Sequence, residues 1–316
     1  MGDPAGVGPE IVLKALRLHP EIFEQCQPVV FGDIWLLEEQ ARICNIPMEI
    51  HEVDLAEMKL VDKPGVINLV TVSGESPHSA QTPCGRLAFR YIETAISAAL
   101  KGQVMAIATA PINKENMRLA GVPYLDHTEI LEKLTGSGHT MTLFITGNLR
   151  IFFYSRHIAF RDIVEALDIE KLAGRLQTCR DHLMKIGIGQ PRLALAALNP
   201  HAGEQGMFGD EETRILKPAV EQARKNGVIV EGPIPADSVF HLAIEGIYDG
   251  VLSLYHDQGH IAAKTYDFYK TISLSMGLPF LRTSVDHGTA ENLAGKNKAN
   301  ETSLVEAILA ASRYAW

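Results

Sequence analysis

Seven short apolar runs, each closed by glycine, proline or a polar loop, recur along the 316 residues: PVVFGD (28–33), GVINLVTV (65–72), VMAIATAP (104–111), HTMTLFITG (139–147), LRIFFYSRH (149–157), PRLALAALNP (191–200) and YDGVLSLYHDQG (248–259). Between many of them lie stretches of helical period, such as 85–103 and 168–189. This alternation limits the fold more than any other feature, because strands interleaved with helices build a sheet covered on its faces, an α/β protein. The runs at 139–147 and 149–157 are joined through Gly147-Asn148, which predicts a β-hairpin and so an antiparallel element in an otherwise parallel plan.

The length exceeds what one small core needs and predicts two domains or one large α/β domain with a cleft. A net charge of −9 without any run of Lys or Arg excludes a nucleic-acid surface. The 46% hydrophobic and 21% charged content excludes disordered and fibrous classes. Cys26, Cys44, Cys84 and Cys179 show no ligand spacing, and there is neither a signal-peptide pattern nor an apolar stretch of membrane-spanning length. A reduced, cytoplasmic protein without nucleic-acid or membrane partners is expected.

In α/β sheets ligands gather at the carboxyl ends of strands. Those ends hold TAPINKE (109–115), SRHIAFRD (155–162), NPHAGEQG (199–206) and YHDQGH (255–260), and three of the four present a histidine at a matching place: His157, His201 and His256. A lone histidine is more often a structural hydrogen-bonding residue than a ligand. Three at strand ends point to a three-histidine site for zinc, cobalt or a similar ion, with Asp237 and Asp257 as nearby oxygen groups. The loop NPHAGEQGMFGDEE (199–212) costs ordering entropy and is expected to bury nothing, so its residues are assigned to chemistry.

Three further stretches stand out, the first two with two readings each. GDPAGVGPE (2–10) is either a tight turn opening a helix or a backbone approach to a ligand, and no G-x-G-x-x-G fingerprint lies between a strand and a helix. In DHTEIL (126–131), Asp126 or Thr128 serves as an N-cap, or His127 and Thr128 grip an anion at the positive helix end. RTSVDHGTAENLAGKNKAN (282–300) is too polar for core and is expected to form a binding loop followed by a helix.

MGDPAGVGPE, ATAPINKE, DHTE, RHIAFRD, NPHAGEQG, PADSVF, YHDQGH, GLPFLRTSVDHGTA and LAGK run in order over nearly the whole chain. Together they resemble the 4-hydroxythreonine-4-phosphate dehydrogenase (PdxA) family of vitamin B6 biosynthesis. The resemblance implies an isocitrate/isopropylmalate dehydrogenase-like α/β fold, with two α/β/α domains around a central cleft, approximately 1–115 plus 290–316 and 116–289. It implies NAD-dependent oxidation, NADP not being distinguished, with decarboxylation of a 4-phosphorylated hydroxy acid. It further implies a homodimer and a divalent metal (Zn, Mg or Co) on His157, His201 and His256, the first two from one subunit and His256 from its partner. Catalytic roles fall to Lys264, Asp237 and Asp257, and substrate contacts to His127, Thr128, Lys264 and Arg282. Ser273 stands where the family has asparagine. The cofactor loop maps to His287, Gly288, Thr289 and Ala290.

Two substrates follow from the family: 4-phosphooxy-L-threonine, giving 3-amino-2-oxopropyl phosphate, or D-threonate or D-erythronate 4-phosphate, giving dihydroxyacetone phosphate. A phosphate acyltransferase-like enzyme is a third reading, which the strand-end histidines oppose. A strand is also expected ahead of GDPAG, where Met1 stands.

Overall fold

Most of the apolar runs become strands within a residue or two of where their patterns place them. The computed structural model describes residues 1–73, 83–138 and 140–316, so the first residue of the 139–147 run lies outside the described residues. Among the described residues the strands are β1 (Val29–Gly32), β2 (Glu49–Glu52), β3 (Val66–Thr71), β4 (Ala106–Thr109), β5 (Met141–Thr146), β6 (Leu149–Phe153), β7 (Leu193–Ala196), β8 (Val230–Ile234), β9 (Gly250–Ser253), β10 (Ile272–Met276) and β11 (Leu281–Val285). The α-helices are α1 (Gly8–Leu18), α2 (Ile34–Cys44), α3 (Cys84–Leu100), α4 (Lys114–Leu119), α5 (His127–Thr135), α6 (Ile163–Ala166), α7 (Ile169–Lys185), α8 (Lys217–Lys225), α9 (Ala236–Ile244), α10 (His256–Tyr266) and α11 (Thr302–Tyr314). The chain forms two compact units, 1–140 with 277–316, and 141–276.

In the first unit β1, β3 and β2 form a parallel sheet in that order, and β4 pairs in parallel with β11. Strand β3 is buried from Val66 to Val70, which is why it reads as an unbroken apolar run rather than an alternating one. Helix α1 lays Ile11 and Leu13, both fully buried, against Ile67 and Leu69 of β3 and Leu304 and Val305 of α11. Each such side chain contributes about 1.5–3 kcal/mol. Its polar residues are buried too: Lys14 Nζ reaches Glu10 Oε1 at 2.7 Å and the Ala299 carbonyl at 2.9 Å, tying the C-terminal loop to the helix. Strands β1 and β4 do not pair with each other, and an apolar cavity of about 630 Å³ is lined by both and by Leu304 and Ile308. At Met1, where a strand is expected, the amino group donates to the Phe31 carbonyl of β1.

The units divide elsewhere than at residues 115 and 289. Helices α4 and α5 share one apolar cluster with α3, in which Met117, Ile130 and Leu131 meet Ile92, Ile96, Leu278 and Phe280. The stretch 282–300 also corrects the expectation of a loop followed by a helix. Arg282–Val285 is a buried strand, residues 286–301 form turns, and the helix starts only at Thr302. Polar residues belong in that strand because their bonds are made inside: Thr283 Oγ1 donates to the Ala307 carbonyl at 2.8 Å, and Thr109 Oγ1 donates to Ser284 Oγ at 3.0 Å.

In the second unit the order is β10-β5-β6-β9-β7-β8. The expected hairpin is present, β5 and β6 pairing antiparallel around Gly147 at φ +55°, and β6, β9, β7 and β8 are parallel. The core joins Phe144, Ile151 and Phe153 to Val239, Phe240 and Val251. Asp168 caps α7 by accepting from Lys171 N, and the helix buries Leu172, Leu176, Cys179 and Leu183 on one stripe. The neighbouring carboxyl ends of β6, β9 and β7 thus carry the loops of His157, His256 and His201 respectively.

Candidate functional site

In the second unit the rings of His157 and His256 lie 6.1 Å apart between centroids. The strand order explains this: β6 and β9 are parallel neighbours, so the residues that follow them emerge side by side. His256 opens α10, stacks on His260 at 3.6 Å, and its Nδ1 stands 3.3 Å from Asp257 Oδ1. His260 is wedged against Phe144 and Phe153 at 4.4 and 4.7 Å, and its Nδ1 bonds the His256 carbonyl at 2.8 Å. The sequence shows His260 in YHDQGH, but its packing role follows only from the helical i, i+4 spacing against two strand phenylalanines. Lys264 continues the same helix face, its Nζ 5.4 Å from the Phe268 ring centre. Ser273 is buried in β10, and Asp237 is exposed in the first turn of α9.

His201 is held differently. It begins a run of five residues in the left-handed region, His201, Ala202, Gly203, Glu204 and Gln205, with φ between 42° and 80°. For residues other than glycine that conformation costs about 1–2 kcal/mol each, so the surrounding structure must impose it. The loop was expected to bury nothing. Instead Glu212 is 1% exposed, and its carboxylate accepts from Leu198 N at 2.9 Å, Asn199 N at 2.7 Å and Asn199 Nδ2 at 2.8 Å. The carboxylates of Glu211 and Glu212 therefore serve first to hold the loop.

Among the described residues no group of three His, Cys, Asp or Glu side chains of one chain could hold a metal. Within a chain the rings of His157 and His256 approach each other. All three loops expose large apolar side chains: Ile158 and Phe160 follow His157, Met207 and Phe208 follow His201, and Ile261 lies on α10. Phe160 and Met207 are each 74% exposed.

In the first unit β11 and β4 place Arg282 beside Thr109, whose Oγ1 accepts from the guanidinium Nε at 3.1 Å and Nη2 at 2.7 Å. Burial lowers the Arg282 pKa to about 10, a cost borne for a cation kept inside. Asp126 caps α5 by accepting from Glu129 N, and Glu129 in turn accepts from Leu125 N. Capping thus accounts for the first carboxylates of DHTE, while His127 and Thr128 occupy the positive helix start. Burial, reinforced by the Arg282 charge, holds His127 well below the usual histidine range, so its ring is neutral. Its Nε2 is buried with no hydrogen-bond partner. A cation, a helix start and an unpaired imidazole nitrogen are groups whose chemistry suits an anion.

The opening loop packs against the loop at 287–290. A Cβ on Gly6 would meet Thr289 at 2.8 Å, and Val7 N donates to the Thr289 carbonyl at 2.9 Å. His287 Nδ1 bonds the Gly288 carbonyl while its Nε2 is buried without a partner, nothing stands within 4 Å of a Cβ on Gly288, and Ala290 is left-handed at φ +42°. Those features fit a loop with polar capacity and backbone space for a nucleotide. The glycines of GDPAGVG are explained by packing.

An α/β chain with histidines at adjacent strand ends and a buried arginine beside a helix start has the parts of an enzyme acting on an anionic small molecule. The family model for "Pyridoxal phosphate biosynthetic protein PdxA" matches residues 24–311. A Fusobacterium nucleatum protein named "Putative D-threonate 4-phosphate dehydrogenase" is 45% identical over 320 residues, covering 100% of this chain and 96% of that protein. One of the same name from Clostridium botulinum is 44% identical over 322 residues, covering 99% and 95%. The crystal structure of 4-hydroxythreonine-4-phosphate dehydrogenase from Klebsiella pneumoniae superposes with a TM-score of 0.87 at 40% identity, covering 100% of this chain and 97% of that one. This chain belongs to the PdxA family and is a dehydrogenase.

Proposed function

We propose that the protein oxidises the C3 hydroxyl of a four-carbon acid 4-phosphate with NAD and that the resulting β-keto acid loses carbon dioxide. The observation that carries this reading is the buried Arg282 beside His127 at the start of α5, an anion site that a phosphate fills. Arg282, His127 and Thr128 take the phosphate. Lys264 balances the substrate carboxylate until it leaves as carbon dioxide, and Ser273 is the specificity contact. Asp257 fixes His256 through Nδ1 and so leaves Nε2 for a ligand, and Asp237 is a further oxygen group. His287 to Ala290 hold the nucleotide.

His157, His201 and His256 suit a divalent ion of the zinc, cobalt or magnesium kind, the imidazoles favouring the first two. When bound, the ion stabilises the negative charge that develops on the C3 oxygen, and NAD accepts the hydride. His157 and His256, with ring centres 6.1 Å apart, would hold such an ion together. Since no third donor joins them among the described residues, His201 is assigned to a second subunit across the exposed apolar face. That division differs from the one the resemblance implies. A cytoplasmic homodimer is the assembly proposed.

On 4-phosphooxy-L-threonine the products are 3-amino-2-oxopropyl phosphate, carbon dioxide and NADH. On D-threonate 4-phosphate they are dihydroxyacetone phosphate, carbon dioxide and NADH, a second reading favoured by Ser273 and by the names of the relatives. The two acids differ in an amino or hydroxyl group at C2, and a polar site separates such a pair by two or more powers of ten in kcat/KM. NADH formation assayed on both side by side is expected to favour one by at least about 100-fold. Formation of NADH from neither refutes the proposal.

A further inference from the structure

We infer that Glu212 is a positioning residue that locks His201 for its ligand. This rests on the assignment of His201 to the ion. Strand β7 ends at Ala196, and the chain then enters the left-handed run that begins at His201 itself. Such a run does not hold its own shape, because side chains other than glycine disfavour it at every position. What fixes its entry is one buried carboxylate. Glu212 Oε1 accepts both Leu198 N and Asn199 N, and Oε2 accepts Asn199 Nδ2 at 2.8 Å. Asn199 Nδ2 also donates to Glu211 Oε2 at 2.7 Å, so the residue two before His201 is clamped through backbone and side chain together. The fit is close enough that a Cβ on Gly203 would come within 2.8 Å of Glu212 Oε2. Glu212 is 1% exposed, does not face solvent, and spends its acceptors on this loop. Its function is therefore to set where the His201 imidazole stands, without touching substrate.

The test is cobalt(II) titration of the metal-stripped protein, following the visible absorption of the bound ion, on wild type, His201→Ala and Glu212→Gln. The Gln amide keeps the shape and the oxygen for two backbone N–H groups, but it sets an NH₂ against Asn199 Nδ2. Glu212→Gln is expected to keep near-UV circular dichroism and to melt within about 4 °C of wild type. It is expected to bind cobalt about 10- to 100-fold more weakly, with an altered visible spectrum. Cobalt affinity and spectrum equal to wild type in Glu212→Gln, with His201→Ala impaired, overturn the inference and leave the metal assignment standing. Unimpaired His201→Ala overturns the assignment itself. Should Glu212→Gln fail to fold, Asn199→Ala cuts the side-chain clamp while keeping the carboxylate, and the same weakening is expected. Undiminished cobalt affinity in folded Asn199→Ala refutes the role.

Discussion

Removing divalent metal with a chelator is expected to lower turnover by about 10³-fold, and adding back zinc, cobalt or magnesium should restore it. The size follows from the charge at stake: stabilising the developing oxyanion is worth several kcal/mol, and each 1.36 kcal/mol is tenfold in rate. His157→Ala, His201→Ala and His256→Ala should each approach the same loss. For His157→Ala and His201→Ala stability should hardly change, because both residues are exposed and surface changes usually stay within about 0.5 kcal/mol. Initial rates of NADH formation, with metal content measured on the same samples, decide the matter. Full turnover in metal-free buffer contradicts the assignment.

Dependence on the substrate phosphate is expected to be larger still. Arg282 is buried, and burial holds its pKa down to about 10, so the cation is costly to keep inside. His127 adds a buried ring nitrogen with no partner. An acid without the phosphate leaves the His127 nitrogen unanswered and the buried positive charge without its counter-charge from substrate, and sites of that kind reject such analogues by about 10⁴-fold. Arg282→Lys should raise KM for the 4-phosphate by at least about 100-fold, because an ammonium cannot bond Thr109 and phosphate in the fork geometry of guanidinium. It should leave the already poor rate on the unphosphorylated acid nearly unchanged. Equal kcat/KM for the phosphorylated and unphosphorylated acids removes Arg282, His127 and Thr128 from the phosphate site.

The sequence showed β1, β3, β4, β7, β9 and the β5–β6 hairpin because their signals are local: apolar runs, helical period and a Gly-Asn turn. It hid β11, since hydropathy scores Arg282, Thr283 and Ser284 as surface although their bonds are satisfied within the core. It hid β2 because EIHE is a polar edge strand. The histidines stood out at strand ends, but which two meet in one chain depends on strand order, and β9 lies between β6 and β7. The role of Glu212 was out of reach for a further reason: GDEE looks like a solvated loop until the left-handed run shows what the carboxylate holds.

Subunit complementation tests the shared metal site most directly. If one subunit gives His157 and His256 and its partner gives His201, mixing His157→Ala with His201→Ala places both lesions in one site of the heterodimer and leaves the other intact. With random reassortment, unfolding and refolding the two together should return roughly a quarter of wild-type activity. Refolding His157→Ala with His256→Ala should return none, since each site then lacks one ligand. Recovery from the second mixture but not the first, or from neither with heterodimers confirmed by mass, contradicts the division of ligands proposed for this protein.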